Sequence, residues 1–162
     1  MAVLKSKRKQ SRLEVFHHAY RLRREMTDLL MRDFGYKAPS FDKTIKEEKK
    51  TKVLNLHQWF IEDERVYIIT IIREMMKNIT LANSIYPTTL SECNQRRSYQ
   101  NLAIGLANDI KQELQYVIDV LPVNVEKYIY YSDELDNQIT LLKEWRKSDN
   151  KIRKRILDKL NK

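Results

Sequence analysis

Histidine and cysteine, the side chains most typical of zinc sites and of catalytic bases and thiol nucleophiles, are few in this sequence. They are three histidines, His17, His18 and His57, and a single cysteine, Cys93. Adjacent helical residues such as His17 and His18 point about 100° apart, so their imidazoles are poorly placed to share one ion. A zinc site needs further Cys or His ligands, and the sequence offers none beyond Cys93. We therefore predict no bound metal and no cofactor.

Two further catalytic patterns are incomplete. Glu14 and His17 match the Glu-x-x-His spacing of di-iron bundles, but those sites use two such pairs and this chain contains one. Cys93 precedes Arg96 and Arg97, whose charges would lower the pKa of a thiol, yet no neighbouring pattern supplies a base. The sequence predicts a protein that is not an enzyme. An enzyme with a metal in a helical core is the alternative.

Positive charge is concentrated at the two ends of the sequence. The net charge is +9, of which residues 1–12 contribute +5 and residues 143–162 contribute +6. The remaining 130 residues therefore carry a net charge of −2. Concentrated positive charge attracts polyanions because binding releases their counterions. This segregation favours a nucleic acid, either RNA or DNA, as the partner.

The basic residues near the C-terminus recur at helical spacing, with Ile152, Ile156 and Leu160 expected on the opposite side. Such a helix would dock its apolar side on protein and offer the other side to phosphates. An ordinary solvated tail is the alternative, and an interfacial membrane helix is disfavoured because the apolar side lacks a dense Trp, Phe and Leu face. Lys159 widens the basic face. The candidate nucleic-acid-binding residues are Lys5, Lys7, Arg8, Lys9, Arg12, Lys143, Arg146, Lys147, Lys151, Arg153, Lys154 and Arg155.

The elements that must position these residues are helices. Two glycines and three prolines leave little material for the turns of a β-rich fold. Apolar periodicity predicts helices at about 11–34, 59–85, 91–121 and 123–145, the last continuing or restarting at Ser148. Ser11 with Glu14 has the spacing of a capping box, Gly35 is placed to end the first helix, and Gly105 would allow a neighbouring helix to approach closely. The prediction is an all-α, up-and-down four-helix bundle.

The chain divides into three parts by composition. Residues 1–10 form a basic arm, residues 11–146 form the bundle with an insertion or loop at 36–57, and residues 147–162 form a basic helical extension. No apolar run is long enough to span a membrane, and the N-terminal basic residues are not followed by the apolar stretch of a secretory signal. The single cysteine excludes an internal disulfide and fits a reducing cytoplasm.

Three short segments carry a family resemblance. They are the opening Ser6-Lys7-Arg8 with Ser11 leading into a helix, residues 82–87 (ANSIYP), and residues 141–149 (LLKEWRKSD). Together they resemble the small four-helix-bundle proteins, called accessory variability determinants, that are encoded beside reverse transcriptases in diversity-generating retroelements. A related bundle group is encoded by intervening sequences of bacterial large-subunit ribosomal RNA genes. The insertion at 36–57 departs from the compact pattern of the family.

The resemblance implies a function. Accessory variability determinants assemble as basic homo-pentameric barrels that bind the reverse transcriptase and its template RNA during error-prone cDNA synthesis. By that resemblance, this chain is expected to be a non-catalytic, nucleic-acid-binding accessory subunit of a reverse transcriptase, acting in the cytoplasm as a homo-oligomer. The residue pattern leaves a second possibility open, a protein-interaction scaffold whose basic ends confer only solubility.

Overall fold

The computed structural model describes residues 13–160, which form four helices. Helix α1 spans Glu14–Met31, α2 spans Glu47–Ser84, α3 spans Leu90–Val120 and α4 spans Val125–Leu160. Each helix packs against two others, in the closed order α1, α2, α3, α4 and back to α1. The predicted four-helix bundle is thereby confirmed.

Contacts between the helices show that neighbours are antiparallel. In α1, His18 bonds to Gln138 of α4, whereas Glu25, two turns later, bonds to the earlier residue Tyr130. Arg96 near the start of α3 bonds to Asp149 of α4, and Lys111 further along α3 bonds to Asp136. An up-down-up-down bundle places the α1–α2 and α3–α4 connections at one end. The α2–α3 connection, the start of α1 and the end of α4 lie at the other end.

The core is made by the predicted apolar stripes. In α1 every residue of its stripe is buried, and so are most positions of the other three stripes. Tyr67 of α2 shares the helical spacing of the core residues but is 45% exposed, and its hydroxyl donates to Asp109. The buried residues of α1 are Val15, Ala19, Leu22, Met26, Leu29 and Leu30.

The first helix is shorter than predicted at both ends. It begins at Glu14, and the residue before it, Leu13, caps it without a side-chain hydrogen bond. Ser11, the expected capping residue, lies outside the described residues, as does the basic arm 1–10. The helix ends at Met31, and the predicted left-handed Gly35, with φ +67°, completes the turn that follows it.

The second helix corrects the predicted insertion at 36–57. Residues 47–57 are helical and continuous with the rest of α2, so the connection is confined to 32–46. Polar contacts along the helix support this stretch, among them Lys50 with Glu47 and the Thr51 hydroxyl donating to the Glu47 carbonyl. His57 accepts or donates a 2.8 Å hydrogen bond with the Tyr36 hydroxyl. The stretch lacks an apolar stripe because most of its side chains are exposed.

The third and fourth helices lie close to their predicted bounds. Thr89 caps α3, and Thr89 and Glu92 form a capping box in which each side chain accepts from the other's backbone N–H. Gly105 does not mediate a close approach, because a Cβ placed there would meet no heavy atom within 4 Å. Helix α4 runs without a break through Ser148 to Leu160. The basic extension 147–162 is thus, as far as Leu160, the end of a bundle helix.

Candidate nucleic-acid interface

The C-terminal half of α4 carries an excess of exposed positive charge. Residues 143–160 contain eight Lys or Arg against three acids, a net charge of +5. Seven of the eight side chains are exposed, and none of these seven forms an ion pair with a carboxylate within residues 13–160. The seven are Lys143, Lys147, Lys151, Arg153, Lys154, Arg155 and Lys159. We call this part of the molecule the cationic end.

Four lysines form one stripe along the outer side of α4. Lys143, Lys147, Lys151 and Lys154 follow each other at steps of four, four and three residues. At a rise of 1.5 Å per residue the stripe is about 17 Å long. The opposite side of the helix is anchored by Trp145, which is 7% exposed. The stripe therefore faces solvent on a helix whose other side is fixed in the bundle.

The anchoring side of α4 matches its prediction only in part. Ile152 and Ile156 are half-buried, as a docked apolar side requires. Leu160 is 67% exposed, so the docking ends before the last turn. Among residues 13–160, the last residue of α4 is therefore not covered by a neighbouring helix.

A polar cluster fixes α4 to α3 and to the α2–α3 connection. The Arg96 guanidinium donates to both oxygens of Asp149, with its Nε 2.7 Å from Oδ2, and to the carbonyl of Ile85 at 2.8 Å. Gln100, which is fully buried, donates its amide N–H to Asp149 at 2.7 Å. The guanidinium carbon also lies 5.0 Å from the ring centroid of Trp145, a cation–π distance. These contacts join residues 82–87 and 141–149, two of the three segments that carry the family resemblance.

Helix α3 adds one cationic group, Arg97, that the sequence did not assign to the interface. Arg97 donates to Asn150 of α4 at 3.1 Å, and Arg146 donates to Asn101 of α3 at 2.6 Å. With Arg153, these arginines line a shallow depression between the two helices. In the sequence, Arg97 is notable only as a neighbour of the Cys93 thiol. Its place beside Asn150 depends on how α3 and α4 are aligned, so no signal in the sequence could have assigned it to the interface.

Only part of the predicted interface falls within the described residues. Lys143, Arg146, Lys147, Lys151, Arg153, Lys154 and Arg155 lie together on α4, with Arg146 the one half-buried member. The five N-terminal candidates, Lys5, Lys7, Arg8, Lys9 and Arg12, lie outside the described residues. The first turn of α1 lies beside Gln138, whose amide donates to the Val15 carbonyl. The start of α1 therefore lies about one helical turn along α4 from the first residue of the cationic end.

The groups first considered for catalysis are dispersed. His18 bonds to Gln138 and Glu134, whereas His57 bonds to Tyr36 at the opposite end of the bundle. No three His, Cys, Asp or Glu side chains within residues 13–160 are grouped so that they could hold a metal ion. Nor does any helix in this range have the length and apolar character needed to cross a membrane.

Cys93 is not the activated thiol that its basic neighbours suggested. Burial raises the pKa of its thiol, and the negative charge of Asp149 raises it further. Arg96 and Arg153 oppose these effects with smaller contributions. Burial of the thiol, together with the carboxylate of Asp149, which the sequence did not place beside Cys93, raises the pKa of Cys93 where the sequence suggested that it would be lowered.

No protein-family model, curated protein or solved structure matches the chain. What the protein does must therefore be inferred from its own residues and geometry.

Proposed function

We propose that this protein is a non-catalytic nucleic-acid-binding subunit that accompanies a reverse transcriptase in a diversity-generating retroelement. In this function it holds template RNA or cDNA together with the polymerase, in the cytoplasm and as a homo-oligomer, a pentamer by family resemblance. The observation that carries the binding part is the lysine stripe on α4. Its lysines are exposed and free of ion pairs within the described residues, so phosphates can approach them without displacing a carboxylate.

The shape of the stripe supports a polyanion over a small anion. The lysines are spread over about 17 Å of helix, which is the length of about five nucleotide steps at 3.4 Å per step along a strand. A small anion would call for convergent donors in a pocket, whereas this surface is open and convex. Phosphate contacts of this kind position the protein on the nucleic acid without reading its sequence. We therefore expect binding with little sequence preference.

The test compares two triple variants of equal charge. Lys147→Gln, Lys151→Gln and Lys154→Gln together remove three charges from the stripe. The matched control, Lys43→Gln, Lys46→Gln and Lys49→Gln, removes three exposed charges before and at the start of α2, at the other end of the bundle. Affinity for a labelled RNA is measured by fluorescence anisotropy at fixed salt. The stripe variant should bind about tenfold or more weakly, and the control should change little.

Three outcomes would contradict the binding proposal. Equal weakening by both triple variants would show that net charge, and not the stripe, attracts the RNA. Absence of RNA binding by the unmodified protein at low salt would remove the proposal altogether. A polyglutamate peptide of similar charge serves as the competitor: if it displaces the RNA at equal charge concentration, the partner is an acidic protein.

The reverse-transcriptase part has its own test. The gene for this protein should lie beside a reverse transcriptase gene and a repeated template region, and the two proteins should co-purify when expressed together. An isolated gene, or separate elution of the two proteins, would contradict this part while leaving nucleic-acid binding in place.

A second candidate function, a protein-interaction scaffold, is favoured by one surface. Leu56, Trp59 and Val66 lie on one outward side of α2 and are 56%, 64% and 67% exposed. Exposed apolar groups that share a face are typical of protein–protein contacts. Light scattering tests whether this side of α2 mediates self-association. The double variant Trp59→Ser with Val66→Ser should lower the molar mass of the assembly. The variant of the lysine stripe should leave the molar mass unchanged. A single-chain mass for the unmodified protein would exclude the homo-oligomer.

A further inference from the structure

Tyr86 is the most exposed large apolar side chain within residues 13–160, with 84% of its surface accessible. It lies in the short connection between α2 and α3, at the same end of the bundle as the cationic end of α4. A single exposed tyrosine is common on protein surfaces and indicates nothing by itself. What distinguishes Tyr86 is its position between Ile85, which bonds to Arg96 of α3, and Pro87, which lines a depression together with Arg153 of the cationic end.

The backbone on both sides of Tyr86 is fixed. The carbonyl of Ile85 accepts a 2.8 Å hydrogen bond from Arg96, which is itself held by Asp149 of α4. On the other side Pro87 is buried, and the N–H and hydroxyl of Thr88 both donate to Glu92. The ring is therefore presented to solvent by an ordered connection, so ordering it on binding costs little entropy.

Pro87, the residue that follows Tyr86, lies among cationic groups. Pro87 lines the shallow depression together with Arg97, Arg146 and Arg153. Arg153 is exposed and forms no ion pair in the described part of the chain. The exposed ring of Tyr86 therefore belongs to the residue next to Pro87, and Pro87 shares the depression with Arg153, an exposed arginine of the cationic end.

This combination has a specific binding chemistry. Cationic side chains contact phosphates, and an exposed ring offers a face on which an unpaired base can stack. A base within a duplex is covered on both faces by its neighbours, so the ring can stack only on a base of a single strand. Backbone contacts alone do not make this distinction.

We propose that the cationic end binds single-stranded nucleic acid, with a base stacked on Tyr86 and the adjacent phosphates on Arg153 and the α4 lysines. This inference rests on the proposed function, because it requires that the cationic end bind nucleic acid. It adds the kind of strand that is bound and a residue that selects it.

The experiment uses the full chain with three tyrosine variants. Tyr86→Ala removes the ring, Tyr86→Phe keeps the ring without its hydroxyl, and Tyr20→Ala removes a 58% exposed tyrosine of α1 as a matched control. Fluorescence anisotropy at fixed salt measures binding to labelled oligouridine and oligothymidine of about 16 nucleotides and to a duplex of the same length. Thermal unfolding of each variant checks that the fold is kept.

We expect Tyr86→Ala to lose affinity for a single strand and to keep its affinity for a duplex. Tyr86→Ala should raise Kd for a single strand about fivefold or more. The Kd of Tyr86→Phe and of Tyr20→Ala for a single strand should stay within about twofold of the unmodified protein. The Kd of every variant for the duplex should also stay within about twofold. A loss on the RNA or on the DNA oligomer supports the proposal and identifies the strand that is held. Undiminished single-strand binding by Tyr86→Ala, or equal losses on single strand and duplex, would overturn it while leaving the proposed function intact. Failure of the unmodified protein to bind any of the oligomers would overturn the proposed function itself.

Discussion

Asp149 shows how one acidic residue in a basic segment can serve structure. Its carboxylate accepts hydrogen bonds from Arg96 and Gln100, and its side chain is 18% exposed. The Arg96 side chain is 14% exposed, so the pair is largely withdrawn from water. Removing one partner of such a pair leaves the other charge poorly solvated, which costs more than the pair itself contributes.

We predict that Asp149→Ala lowers the free energy of unfolding by about 2–4 kcal/mol. The matched control is Asp136→Ala, which breaks the ion pair between Asp136 and Lys111. The Asp136 side chain is 56% exposed and the Lys111 side chain is 36% exposed, so this pair should contribute less than about 1 kcal/mol. Urea denaturation measures both. Because Asp149→Ala also removes a negative charge from the cationic end, RNA affinity of the folded variant should not fall. Equal destabilisation by the two variants would contradict the structural role of Asp149.

Glu64 is a carboxylic acid buried on the inner side of α2. It is 7% exposed, and its Oε2 has no hydrogen-bond partner among residues 13–160. Burial raises the pKa of Glu64 from 4.5 to about 7, and the nearby charges of Glu113 and Asp63 add to the effect. The folded protein therefore holds this proton more tightly than the unfolded chain does.

The pH dependence of stability follows from that shift. As pH rises from about 4.5 to 7, the unfolded chain releases the Glu64 proton before the folded protein does, so Glu64 increasingly destabilises the fold. Glu64→Gln removes this titration. The free energy of unfolding of Glu64→Gln minus that of the unmodified protein should increase by about 2–3 kcal/mol between pH 5 and pH 8. Urea denaturation at both pH values measures it, with the exposed Glu48→Gln as control. A pH-independent difference would contradict the raised pKa.

At the scale of the elements, apolar periodicity predicted helices wherever a helix packs along the core. The stripe of α1 was predicted residue by residue because each of its positions is buried. The start of α2 was missed because residues 47–57 are held by polar contacts such as Lys50 with Glu47, which leave no apolar stripe. Spacing alone also fails at Tyr67, which shares the helical spacing of the core residues yet lies at the edge of the buried side and bonds to Asp109.

The two glycines should respond to alanine in opposite directions. Gly105 lies inside α3 facing open space, so Gly105→Ala should stabilise the protein by about 1 kcal/mol. Gly35 has φ +67°, and a Cβ there would lie 3.0 Å from Cε2 of Tyr128, so Gly35→Ala should destabilise it by about 1–2 kcal/mol or more. Thermal and urea unfolding of both variants test this. Destabilisation by Gly105→Ala would indicate that a neighbouring helix does approach position 105 closely, as the sequence predicted.

At the scale of the whole molecule, the up-and-down topology determines which groups meet. The sequence indicated a basic C-terminal helix, and seven of the twelve candidate residues lie together on α4. It could not show that Arg97 of α3 lies beside Asn150, because that contact depends on how α3 and α4 are aligned. Nor could it show that Arg96 is paired with Asp149 and so is withdrawn from the cationic end.

The most direct measurement is the salt dependence of RNA affinity for the unmodified protein and for the variant with glutamine at 147, 151 and 154. If about six phosphates are neutralised, log K should fall with log salt concentration with a slope of about −4 to −5. The variant's slope should be shallower by about 2–3, because three contacts are lost. A flat dependence, or no binding at about 50 mM salt, would contradict the claim that the lysine stripe of α4 binds a polyanion.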